Sequence, residues 1–245
     1  MITKKKILVI KSALLLMTIT SSCTSQVQSD FDLAKDALRQ HSKTITSQNI
    51  KKLNSAIPFE ASHDIIETPS EKVLQFSGVD FSGYVKKDKK LGKNRVIFTF
   101  PKKDSIIGMY QLHVYQTKKS SALAQTLEKL FGKAEFTSFN TKEDKVSGNY
   151  EGKIWIDKKN EISYLLQMGK STIYQEEIVE ASLYVVDNKQ EQYFDWISTS
   201  PPFSFYGDYI DYKNHFEKPE DYSYELFVKE KLEKGTDRYQ LLTEW

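Results

Sequence analysis

Apolar and polar positions alternate through much of this chain, and in a few windows the apolar ones recur at helical spacing instead. Across Ile107–Gln116, Leu112, Val114 and Gln116 oppose Gln111, His113 and Tyr115, which predicts a strand with one face turned inward. Val79–Val85 and Arg95–Phe100 are rich in β-branched and aromatic residues and read as strands on either side of a lysine-rich hairpin loop, Lys86–Asn94. Lys153–Asp157 and Glu161–Met168 flank a short Lys-Lys-Asn turn and predict a second hairpin. Glu135–Asn140 and Ile178–Val186 complete the strand set. The clearest helix places Leu123, Leu127, Leu130 and Phe131 at i, i+4, i+7 and i+8, with Ser120 or Ser121 as cap and Gly132 as stop. Shorter helices are expected behind Asp30, with Phe31, Ala34, Ala37 and Leu38 inward, around Ile50–Leu53, over Lys189–Ile197 behind Asp187, and from Asp221 to Lys234 before Gly235.

Strands, helix, strands, helix, joined by hairpin-length connections, predict an α+β fold: a mainly antiparallel meandering sheet with helices packed on one face. One domain spanning residues 31–245 is expected; two small domains divided near Gly132–Gly148 are the alternative.

Composition narrows the class. With 39% hydrophobic and 28% charged residues the chain is neither disordered nor collagen-like. A single cysteine excludes a disulfide scaffold, a thiolate zinc site and an iron–sulfur cluster.

That cysteine closes the most informative segment. Residues 1–22 carry Lys4, Lys5, Lys6 and Lys11 with no acid, then an apolar stretch over Ser12–Ile19, then Thr20-Ser21-Ser22 before Cys23. A basic start, a short apolar middle and a small-residue exit make a secretory signal, and the stretch is too short to span a bilayer. Ser21-Ser22-Cys23 resembles the lipobox of bacterial lipoproteins, in a relaxed form like that of gliding-type Gram-negative bacteria; Thr20 stands where leucine is usual. The resemblance covers residues 1–23 only. It implies diacylation of Cys23, a polar tether over residues 23–30, attachment to the membrane through the lipid anchor, and a place in the bacterial cell envelope. Thr24 is not the aspartate associated with inner-membrane retention, so the outer membrane is preferred. Without its four lysines the remaining chain counts 31 basic against 33 acidic residues, so a formal charge of +2 becomes −2. Nucleic-acid binding thereby loses its electrostatic basis.

Catalytic chemistry is sparse. Gly169-Lys170-Ser171 resembles the end of a phosphate-binding loop, but Tyr164 occupies the position of the required earlier glycine. His113 has no orienting carboxylate or nucleophile named by spacing, and no metal site, cofactor or catalytic residue is expected. Asp208, Asp211 and Glu217 near His215 supply the carboxylates of the alternative reading, a secreted hydrolase acting on cell-wall or polysaccharide material. The more unusual feature is aromatic: eleven rings lie between Tyr193 and Tyr224. Trp196, Phe203, Phe205, Tyr206, Tyr209, Tyr212 and Phe216 form the candidate binding surface for an envelope protein or glycan, carried on a structured loop. The opposing reading is a loop pinned to the core by its own rings. Together these features predict an envelope lipoprotein with a non-enzymatic binding, assembly or protective role.

Overall fold

A computed structural model describes residues 31–54, 56–58, 60–86, 91–190, 192–197, 202, 203 and 205–233. The expectations for residues 1–30, including Cys23 and the Asp30 cap, and that for Gly235 lie outside the described residues.

The strands are β1 (His63–Thr68), β2 (Gln75–Phe76), β3 (Val79–Asp80), β4 (Tyr84–Lys86), β5 (Leu91–Lys93), β6 (Arg95–Pro101), β7 (Met109–Val114), β8 (Phe136–Ser138), β9 (Gly152–Asp157), β10 (Ile162–Ile173) and β11 (Glu176–Asp187). Seven of them form one antiparallel sheet in the order β1-β6-β7-β11-β10-β9-β8, while β2–β3 and β4–β5 are separate two-stranded ribbons. The helices are α1 (Leu33–Asp36), α2 (Ser42–Thr46), α3 (Thr117–Phe131), α4 (Lys142–Ser147), α5 (Gln192–Ile197), α6 (Tyr206–Asn214) and α7 (Tyr224–Glu233). The expected α+β architecture, an antiparallel sheet with helices packed on it, is what the chain forms. Helices in fact occupy both faces.

Strand alternation explains this. On β7, Tyr110, Leu112 and Val114 point to one side, joined there by Leu183 and Val185 of β11, Tyr164 and Leu166 of β10, and Phe98 of β6. The N-terminal segment and α3 cover that side through Phe31, Leu33, Leu123 and Leu127. Met109, Val186, Leu165 and Ile154 point to the other side, where α5, α6 and α7 bring ten buried residues of their own, most of them aromatic. Burying apolar area on both faces is the dominant favourable term for a sheet of this kind.

Several local expectations shift, each for a visible reason. Among the described residues after Asp30 the expected helix is the single turn α1, capped by Asp32, whose carboxylate takes the Ala34 N–H at 2.9 Å. The Ile50–Leu53 helix is absent: Leu53 forms a bridge to Glu67, and the helix is the earlier α2, capped by His41. Val79–Val85 breaks at Gly83 into two ribbons, so the lysine-rich turn joins β4 to β5, and β6 pairs with β1 and β7 instead. Helix α3 begins at Thr117, with Ser120 buried inside it, and Leu130 stands 44% exposed. Gly132 does end it, at φ +74°. Asp187 closes β11, where Arg39 grips its carboxylate in two hydrogen bonds of 2.8 and 2.6 Å. The aromatic stretch expected as a loop contains the nine-residue α6. The segment Gly132–Gly148 contributes β8 to the common sheet.

Candidate functional site

Five of the seven rings proposed as a binding surface are in the core. Phe203, Tyr206 and Tyr209 are fully buried, and Phe205 and Trp196 are nearly so. They interlock edge to face with the rest of the layer: Phe194–Tyr206 at 5.5 Å, Tyr209–Tyr224 at 5.2 Å and Tyr193–Trp196 at 4.9 Å between centroids. Their hydroxyls are used inward, Tyr206 with Ser163 at 2.7 Å and Tyr209 donating to the Tyr222 carbonyl at 3.0 Å. Burial pushes both phenols well above their ordinary range, with Ser163 partly opposing it at Tyr206 and the neighbouring Tyr206 reinforcing it at Tyr209. A ring in the core offers no area to a partner, so the aromatic surface shrinks to Tyr212 and Phe216, 46% and 40% exposed. The helical phase of α6 separates them: Tyr209 faces in, Tyr212 faces out.

The carboxylates of the hydrolase reading lie along the same helix and just beyond it. Asp211 and Glu217 are exposed and Asp208 is half-buried, while the His215 ring leans on the Asp211 carbonyl at 2.8 Å. Among the described residues no three His, Cys, Asp or Glu side chains gather as a cation site would require.

A different part of the sheet holds the polar chemistry. Strand register aligns Arg95, His113, Ser182, Gln167, Gly152 and Ser138 in one transverse row on the face that carries the aromatic layer. At the β9 end that layer roofs the row: a Cβ on Gly152 would meet Pro202 at 2.2 Å and Phe203 at 3.2 Å. In the middle, His113 bonds the Ser182 hydroxyl through Nδ1 at 3.0 Å, and its Nε2 is shut from solvent without a partner. Burial, then the positive charge of Arg95, pushes its pKa down to about 4, so the ring is neutral at ordinary pH. A base so weak is poorly suited to activating Ser182. His113 is a half-buried strand residue.

At the β6 end the row opens into a cavity of about 700 Å³ lined by Lys51, Leu53, Pro69, Tyr84, Gly92, Lys93, Arg95, Tyr115, Ile173 and Tyr174. Its walls are held from behind. Glu67, 2% exposed, pairs with Arg95 at 2.9 Å and also accepts the Ala56 N–H at 2.9 Å. Arg95 in turn lies 5.4 Å from the Tyr115 ring. Buried Thr68 donates its hydroxyl to the Lys51 carbonyl, and the Leu53 N–H bonds the Glu67 carbonyl at 2.7 Å, so β1 fixes the segment that carries Lys51. The β4–β5 ribbon forms the opposite wall. Sequence reasoning noticed its lysines but had no means of placing Lys51 or Tyr115 beside them, since register alone brings these together.

A second cavity of about 580 Å³ lies between α3, α4 and the far part of β10, with Glu128, Asn140, Asp144, Tyr150 and Met168 in its walls. Compared with known protein families, curated proteins and solved structures, the chain matches none.

Proposed function

We propose that this chain is a lipid-anchored protein of the bacterial cell envelope, on the outer membrane in preference, whose folded domain serves as a binding module. The observation that carries the reading is the close spacing of anchor and core. Phe31 is 5% exposed and Leu33 1%, so the chain is in the core within eight residues of Cys23. A fully extended tether of that length reaches about 27 Å. Lipidation at Cys23 would therefore hold the domain against the membrane surface, with partners drawn from the envelope: a protein or a glycan. Acylation also supplies more than one chain, and a single chain anchors only marginally.

The test is the intact mass of the N-terminal peptide recovered from membranes of expressing cells, beside a Cys23→Ala control. A peptide beginning at Cys23 with added acyl mass, lost in the control, is expected. An unmodified Cys23, or a peptide beginning elsewhere, would overturn the reading.

A further inference from the structure

We propose that the 700 Å³ cavity between the β4–β5 ribbon and the end of β10 is a binding site for an anionic saccharide, a sugar carrying carboxylate or phosphate groups. Charge supplies the first reason. Three cations line it, Lys51, Lys93 and Arg95, and no carboxylate does. Glu67 answers Arg95 from behind, but among the described residues neither Lys51 nor Lys93 has an acidic partner. Of the other acids nearby, Glu180 on β11 acts on Tyr115, and Glu176 is paired with Lys86. The cavity thus keeps about two uncompensated positive charges.

The rest of the lining supplies the second reason. Three tyrosines line it: Tyr174, 55% exposed, gives a ring face on which a pyranose can stack, while Tyr84 and Tyr115 carry Lys93 and Arg95 over their rings at 4.9 and 5.4 Å, and all three hydroxyls suit those of a sugar. Leu53, Pro69 and Ile173 give an apolar floor. A volume near 700 Å³ sits within the usual range for small-ligand sites. A bare inorganic anion would leave the rings unused, and a flat membrane surface would not enter a cavity.

Preorganisation supplies the third. Lys86 ties the ribbon to the β10–β11 turn, donating to the Tyr174 carbonyl at 3.1 Å and pairing with Glu176 at 3.1 Å. That turn holds Tyr174 and Gln175 at φ +51° and +68°, a conformation costly for residues with a side chain and kept only where the surroundings enforce it. Gly92 is at φ +59°, where a Cβ would lie 2.5 Å from Val85 Cγ2, so the ribbon requires glycine there. Walls fixed before binding lower the ordering cost of binding.

The inference rests on the folded domain and not on the lipid anchor, so either can fail alone. The test is calorimetric titration of the full chain, purified in neutral detergent, with trigalacturonate, with neutral maltotriose and with inorganic phosphate. Trigalacturonate is expected to bind at least 10-fold more tightly than either of the others. The Lys51→Gln/Lys93→Gln variant and Tyr84→Ala are each expected to weaken it 10-fold or more, while Lys129→Gln on α3 leaves it unchanged. Circular dichroism and the melting midpoint check that each variant is folded. Competition by lipopolysaccharide would assign the sugar to a lipid-linked source, and its failure to compete would assign it to free glycan. Equal binding of maltotriose or phosphate, or indifference to the substitutions, would overturn the proposal. So would lysine-dependent capture on phosphatidylglycerol vesicles without saccharide binding.

Discussion

His113 makes this fold sensitive to mild acid. Its imidazole is half-buried in the sheet face, bonded to Ser182 and facing Arg95 across β6. The folded protein holds its pKa at about 4, against 6.5 for the free side chain. Below pH 6.5 the unfolded chain takes up a proton that the folded chain refuses, so stability falls with pH. The loss begins near pH 6.5 and is complete near pH 4. Over the whole window it amounts to about 3 kcal/mol, as an upper bound, and to about 2 kcal/mol by pH 5. For a domain of this size that corresponds to roughly 4–8 °C in melting midpoint. Urea unfolding followed by tryptophan fluorescence at pH 7.5, 6 and 5, on the parent and on His113→Gln, measures it. Glutamine keeps a hydrogen bond to Ser182 and cannot titrate. The variant should lose about 2 kcal/mol less than the parent between pH 7.5 and pH 5, the other histidines being common to both. Equal losses in the two proteins would show that burial at this position does not penalise the charged ring.

Three further outcomes follow from the packing. Asp32→Ala should cost about 3 kcal/mol in urea unfolding, because its buried carboxylate caps α1 and also receives the Ser77 and Gly78 N–H groups at 2.8 and 2.6 Å. Arg39→Ala should cost about 2 kcal/mol at pH 7 by stranding Asp187, 4% exposed. Burial pushes that carboxyl up, but the Arg39 hydrogen bonds and the Lys189 N–H outweigh it and hold it below its ordinary range. The Arg39 contribution should therefore fade as pH drops below about 4, and a cost independent of pH would refute the ion pair. In alkali the buried phenols act in the opposite sense to His113. Burial raises Tyr164 to about 12 and holds Tyr110 and Tyr206 well above their ordinary range, so stability should hold to about pH 10 and fall above it. Absorbance at 295 nm should show these rings ionising only with unfolding.

Legibility in the sequence followed the range of each interaction. The β9–β10 hairpin, the inward face of β7 and the Gly132 stop rest on neighbours a few residues apart, and periodicity exposes them. The β10–β11 turn was invisible because Tyr174-Gln175 lacks the Asn-Gly or Gly that such tight connections favour. Aromatic crowding over residues 193–224 was legible as an anomaly, but composition alone does not separate a surface from a second core. A sheet with one helical layer leaves rings to be offered outward; this sheet has a layer on each side, and the rings fill the second. The polar row through His113 depends on the pairing of His113 with Ser182, 69 residues apart, and has no local signature.

The order of strands also governs how the chain finds this structure. After β7 the chain runs through α3 to the far edge, then returns by β8, β9, β10 and β11, so each half of the sheet is a nearly local meander. The halves meet at one seam, the six residue pairs from Val114–Ala181 to Met109–Val186, separated by roughly 70 positions in sequence. Closing a loop that long costs entropy before any contact at the seam repays it, and such pairings slow folding. The β9–β10–β11 meander should therefore protect its amides first in a refolding pulse, with the seam last. Until then both seam strands present open hydrogen-bonding edges, the state in which the chain is most exposed to misassociation.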